Sequence, residues 1–175
     1  LLADSTNAHR GGRSTSEHDV HASLKTIMGS FQGRVFVSTF ASNLARLESA
    51  RVAARHTGRF LGIAGGSLHR NSAVAEELGI LKAPQRRQST RALASMDRDK
   101  VAFLCTGSQA EPNSALSRMA TNLETGFARK NDPKIGRGDL IVHSARVIPG
   151  NEAAVDDLFA TFEKHGVFVL RADRP

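Results

Sequence analysis

Five short, unbroken apolar runs, alternating with stretches of helical periodicity, constrain this chain more than any other feature. The runs are Arg34–Phe40, Arg59–Ala64, Val101–Thr106, Asp139–Ser144 and Val167–Leu170. They are rich in Val, Ile, Leu and Phe and show no regular polar alternation, as strands covered on both faces read. Such runs interleaved with helices build βαβ units and a parallel sheet. The expected fold class is therefore α/β: three layers, with a mainly parallel sheet flanked by helices.

The helical stretches carry one apolar face each. Val20, Leu24, Ile27 and Met28 follow helical spacing, with Ser14 and Glu17 placed as a capping box ahead of them. Leu44, Leu47 and Ala54 mark another helix, and Val74 with Leu78 a shorter one ending at Gly79. Val155, Leu158, Phe159 and Phe162 repeat the pattern before Lys164, His165 and Gly166 close it. All these apolar positions are expected in the core. The stretches Lys82–Lys100 and Thr125–Gly138 hold few large apolar residues and many cations, among them Arg86, Arg87, Arg91, Arg129, Lys130, Lys134 and Arg137. They read as exposed connections, and a charge run of this kind is more often a solvated loop than a nucleic-acid contact.

At 175 residues the chain fits one domain over 1–175 and can bury a core without covalent staples. A single cysteine, Cys105, excludes an internal disulfide and a multi-cysteine zinc site, and it fits a reducing, cytoplasmic setting. No run approaches the roughly 20 apolar residues of a membrane helix, so no membrane partner is expected. The opening Leu1-Leu2-Ala3-Asp4 reads as the inside of a strand and the chain as a fragment. The net charge of +7 favours a polyanionic partner through counterion release. Tryptophan and tyrosine are absent, so base stacking would fall to the nine phenylalanines, and contact with a nucleic-acid backbone is the better expectation.

The chemistry lies in the turns that leave the strands. Four of them carry polar residues: Asp4-Ser5-Thr6-Asn7; Thr39-Phe40-Ala41-Ser42-Asn43; Thr106-Gly107-Ser108-Gln109-Ala110-Glu111-Pro112; and Ser144-Ala145-Arg146-Val147-Ile148-Pro149-Gly150-Asn151-Glu152. Helix-linked parallel strands bring such turns to one edge, where open α/β sheets bind ligands. Each turn also leads into a helix N-terminus suited to phosphate. A cradle for a sugar–phosphate chain is one reading; helix capping by Ser42, Asn43 and Asn151 is the other. No phosphate-binding Gly-Lys-Ser/Thr loop or dinucleotide fingerprint occurs, so no nucleotide cofactor is expected. His18 and His21 lie three apart on a helix, but no third ligand accompanies them, and no metal site is assigned.

Taken as sequences, Leu2-Ala3-Asp4-Ser5-Thr6-Asn7, Thr39-Phe40-Ala41-Ser42-Asn43, Cys105-Thr106-Gly107-Ser108-Gln109-Ala110-Glu111-Pro112 and Ile148-Pro149-Gly150-Asn151-Glu152 resemble segments of bacterial ribonuclease J, in the same order. Ser114–Ala120 extends the match, whereas Gly65–Asn71 and the two basic stretches depart from the family. The resemblance implies the β-CASP domain of a metallo-β-lactamase-fold ribonuclease that uses two zinc ions, acting both as an endonuclease and as a 5′-to-3′ exonuclease. Residues 1–7 would then be the last piece of a metallo-β-lactamase strand. It implies RNA contacts at Ser5, Thr6, Asn7, Thr39, Phe40, Ser42, Asn43, Gly107, Ser108, Gln109, Glu111, Ser144, Arg146, Gly150, Asn151 and Glu152. Asp4 would sit beside the metal centre as the catalytic position, orienting a ligand or accepting a proton, unless it merely caps its turn. The family's His-x-His-x-Asp-His motif and its downstream histidine motifs are absent from this sequence. The expectation is thus an RNA-holding segment, without zinc or cleavage of its own, that works with the missing metallo-β-lactamase domain of the same chain and, at full length, as a homo-oligomer. The rival readings are a stand-alone nucleic-acid-binding or scaffolding protein without catalysis, and a different α/β enzyme acting on a small phosphate ester.

Overall fold

The computed structural model of the chain describes residues 16–82, 88–127 and 132–171. Its strands are β1 (Val35–Ser38), β2 (Phe60–Ala64), β3 (Val101–Cys105), β4 (Leu140–His143) and β5 (Phe168–Arg171). Its helices are α1 (Glu17–Ser30), α2 (Leu44–His56), α3 (Gly66–Glu77), α4 (Thr90–Ala94), α5 (Ala115–Thr125) and α6 (Glu152–Lys164). All five strands are parallel, in the order β2-β3-β1-β4-β5. The three central strands are buried along their whole length, which is why their sequences do not alternate.

Alternate side chains feed two apolar layers. Phe36, Phe103 and Ile141 face Leu116 and Met119 of α5 and Val155, Phe159 and Phe162 of α6. Val35, Val37, Leu104 and Val142 face Leu24 and Met28 of α1, the alanines of α2 and Leu68 and Ala75 of α3. Phe36 and Phe103, paired in register, stack at 5.1 Å between ring centroids. The three-layer α/β expectation holds.

Several local expectations change. The capping box of α1 uses Ser16 and Asp19 rather than Ser14 and Glu17; Ser14 lies outside the described residues. Val74 and Leu78 are 54% and 68% exposed, because α3 turns Leu68, Ser72 and Ala75 to the core instead. The stretch Lys82–Lys100 contains α4, whose Leu93 is fully buried, and Thr125–Gly138 buries Ile135.

The amino edge of the sheet is tied by buried charge. The Asp139 carboxylate, fully covered, accepts from Arg34 Nη2 at 2.9 Å, Arg98 Nη2 at 2.6 Å and the backbone N–H of Gly136 at 3.0 Å. Arg59 is buried and donates to the carbonyls of Met28 (2.8 Å), Gly33 (2.8 Å), Val101 (3.0 Å) and Phe31. Its guanidinium supplies the cation at the C-terminus of α1, whose own last turn has no basic residue. The carboxyl edge, by contrast, is built of polar turns whose charged residues Glu111, Arg146 and Glu152 are exposed.

Candidate nucleic-acid interface

The carboxyl ends of β3, β1 and β4 lie side by side, since Ser38 is in register with both Cys105 and His143. The chain leaves β1 through α2 on one face of the sheet and leaves β4 through α6 on the other. Adjacent strands whose connections depart to opposite faces open a crevice at their carboxyl ends. The three described turns singled out from sequence all meet there. The fourth, with Asp4, Ser5, Thr6 and Asn7, lies outside the described residues.

The turn after β1 begins at Thr39, whose N–H donates to the Cys105 carbonyl at 3.1 Å. It ends at Asn43, whose side chain accepts from Arg46 N at 2.9 Å and caps α2. Ser42 is exposed; Phe40 and Asn43 are half-buried.

The turn after β3 folds back over the sheet. Gly107 has φ of +112°, and a Cβ there would lie 2.6 Å from Ser114 Oγ and 2.8 Å from Leu116 Cβ. Only glycine fits. Ser108 and Gln109 are buried, and both bond to the β4 side. His143 Nε2–H donates to the Ser108 carbonyl at 2.9 Å. Gln109 Nε2–H donates to the Arg146 carbonyl at 2.8 Å, while Gln109 Oε1 accepts from Ile148 N–H at 2.7 Å. Since β1 stands between β3 and β4, these bonds carry the β3 turn across the end of β1. Glu111 is exposed and accepts from Gln109 N at 3.1 Å.

The turn after β4 starts with Ser144 N–H donating to the Ser38 carbonyl at 2.9 Å. Arg46 reaches it from α2, donating from Nη1 to the Ser144 carbonyl at 2.6 Å and to the Ser144 hydroxyl. The same guanidinium grips Glu17 at 2.9 Å. Partial burial alone would raise the Glu17 carboxyl, but the hydrogen bonds from Arg46 and Ser49 and the Arg46 charge outweigh it and hold the carboxyl below its ordinary range. Arg146 is exposed, and its guanidinium makes no ion pair with a described residue. Gly150, at φ +96°, donates its N–H to Glu152 at 2.7 Å, and Asn151 precedes α6 without a side-chain cap bond.

The described contact residues thus fall into three groups. Ser42, Glu111, Arg146, Gly150 and Glu152 are exposed at the edge; Phe40, Asn43, Ser144 and Asn151 are half-buried; Thr39, Gly107, Ser108 and Gln109 are covered by it. The hydroxyls of Ser38, Thr39 and Ser108 are buried beneath these turns without a hydrogen-bond partner among the described residues. Sequence reasoning did not single out Arg46, His143 or Ser38. Arg46 sits three residues after the Asn43 cap, and that position on the first helical turn, facing back to the edge, was the signal that could have found it. Among the described residues no three His, Cys, Asp or Glu side chains form a group that could hold a metal ion. No described helix is long and apolar enough to cross a membrane.

Residues 32–162 match the family model for the ribonuclease J β-CASP domain. Curated relatives agree. The chain is 42% identical over 171 residues to ribonuclease J of Corynebacterium glutamicum, covering 97% of this chain and 23% of that protein. It is 37% identical over 170 residues to ribonuclease J of Thermus thermophilus, and 36% identical over 170 residues to that of Sinorhizobium meliloti. In both cases 97% of this chain aligns with 29% of the relative. The chain therefore spans under a third of the length of the relatives it matches.

Proposed function

Because the chain belongs to the ribonuclease J β-CASP family, we propose that it is the RNA-holding part of an RNA-degrading hydrolase. Single-stranded RNA crosses the carboxyl edge of the sheet, over the turns after β1, β3 and β4. The observation that carries this reading is the convergence of those three polar turns at the switch point between β1 and β4, where Arg146 is an exposed cation. The segments that form this edge are also those that resemble the family in sequence.

Phosphodiester hydrolysis, endonucleolytic and from the 5′ end, belongs in this proposal to a longer protein resembling the relatives. The zinc pair implied by the resemblance has no matching ligand group among the described residues. Its ligands would come from a metallo-β-lactamase domain outside this chain, with Asp4 at the boundary beside it. The proposed setting is the cytoplasm, where RNA is processed and decayed, and assembly of the longer protein into homo-oligomers is part of the same reading.

The test is fluorescence anisotropy of a short single-stranded RNA with the complete protein at several salt concentrations. Affinity should fall steeply as salt rises, because phosphate contacts release counterions. Arg146→Ala should weaken binding, whereas Arg137→Ala, an exposed cation at the opposite edge, should not. Binding that ignores salt, or that depends on Arg137 instead, refutes the edge.

A further inference from the structure

Between Ser144 and Asn151 the chain has no regular element, yet it carries the exposed cation of the edge. Arg46 holds its start at Ser144, and Asn151 N–H donates to the Ile148 carbonyl at 3.0 Å near its end. The middle is gripped by one side chain. The Gln109 amide donates to the carbonyl of Arg146 and accepts from the N–H of Ile148, at 2.8 and 2.7 Å. That is the donor–acceptor pattern a neighbouring strand offers to residues i and i+2. Gln109 is itself fixed from both sides: Glu111 accepts from its N–H, and His143 holds the preceding carbonyl of Ser108.

A terminal carboxamide is the one end group of this length with both a donor and an acceptor. A carboxylate would face the Arg146 carbonyl with like charge, an ammonium could not accept from Ile148, and a thioether would do neither. The side chain is also buried, so its polar atoms are spent on the backbone of the β4 turn rather than offered to a ligand.

We propose that Gln109 is a positioning residue for RNA binding: its amide fixes the Arg146–Ile148 backbone so that the Arg146 guanidinium stands over the crevice to meet a phosphate. This rests on the RNA-binding reading of the edge. Arg146 then delivers its charge to the ligand only while Gln109 holds the turn.

The test compares wild-type complete protein with Gln109→Met, Arg146→Ala and the double variant, by anisotropy with a short single-stranded RNA across a salt series. One lost phosphate contact lowers the slope of log affinity against log salt by about 0.7 and the affinity at 0.1 M salt about five-fold. Both single variants should show that loss, and the double variant should be no worse than Arg146→Ala alone. A structural defect would lower the active fraction without changing the slope. If Gln109→Met leaves the slope intact, or its effect multiplies with that of Arg146→Ala, Gln109 does not act through Arg146 and the proposal fails. Should Gln109→Met not fold, Gln109→Asn keeps the amide but is too short to span both bonds, and it must give the same slope. If Arg146→Ala itself leaves affinity and slope unchanged, the underlying edge reading fails instead.

Discussion

Glu17 shows how a single carboxylate at the start of α1 reaches the interface. It holds Arg46, and Arg46 holds Ser144 at the end of β4. The Glu17 carboxyl lies below its ordinary value of 4.5 in the folded chain, so its pairing stabilises the fold fully above that value. The contribution disappears as pH falls through the lowered folded value. Glu17→Gln should therefore melt below wild type at pH 7, and the gap should close as pH falls below 4.5. Thermal melts of both proteins across that range check this, and a gap independent of pH would refute it. The same residues show what could be read of the site. Polar side chains after each strand were legible because turn and cap chemistry favours them. Which of them face solvent was not, because Gln109 and Ser108 are turned inward by bonds to Arg146, Ile148 and His143, residues more than thirty positions away. Arg46 was hidden for the same reason, since both its partners, Glu17 and Ser144, are distant in sequence.

At the scale of elements, what could be read depended on burial. The strands were legible because β1, β3 and β4 are buried throughout and nearly all apolar, and their ends fell within two residues of the expected ones. Helix α5 was not, because it packs through Ala115, Leu116, Met119 and Ala120 between threonines and serines that favour helices weakly. Helix α4 has five residues and one buried anchor, Leu93, too little for a periodicity to show. That anchor meets a strand glycine. A Cβ on Gly62 of β2 would lie 2.5 Å from the Phe103 ring and 2.6 Å from Leu93 Cδ1, so the absent side chain is what lets α4 and β3 close on the outer strand. Gly62→Ala should cost about 1–3 kcal/mol by overpacking, read as a lower urea midpoint at constant slope. A neutral or stabilising Gly62→Ala would mean that α4 yields without loss and does not brace the outer strand.

At the scale of the molecule, the two apolar layers share the same sheet. Phe36 and Phe103 point into one layer while Val35, Val37 and Leu104 of the same strands point into the other, so neither layer can lose its packing while the strands survive. The two edges are likewise bound together: Asp139 and Arg59 tie the strand starts, and the Gln109 and Arg46 bonds tie the strand ends. A chain built this way should unfold in one step. Cys105 offers an internal probe of it. The thiol is fully buried at the end of β3; burial pushes its pKa up, the Asp132 charge adds to that, and Arg118 opposes it only in part. Since the thiolate is the reactive form, the folded chain should resist thiol reagents near neutral pH. Labelling of Cys105 across a urea series should then track the same transition as far-UV circular dichroism, with one midpoint for both. Labelling that precedes the loss of secondary structure would show that the carboxyl edge opens by itself, and the interface would be a separately melting unit rather than part of the sheet that carries it.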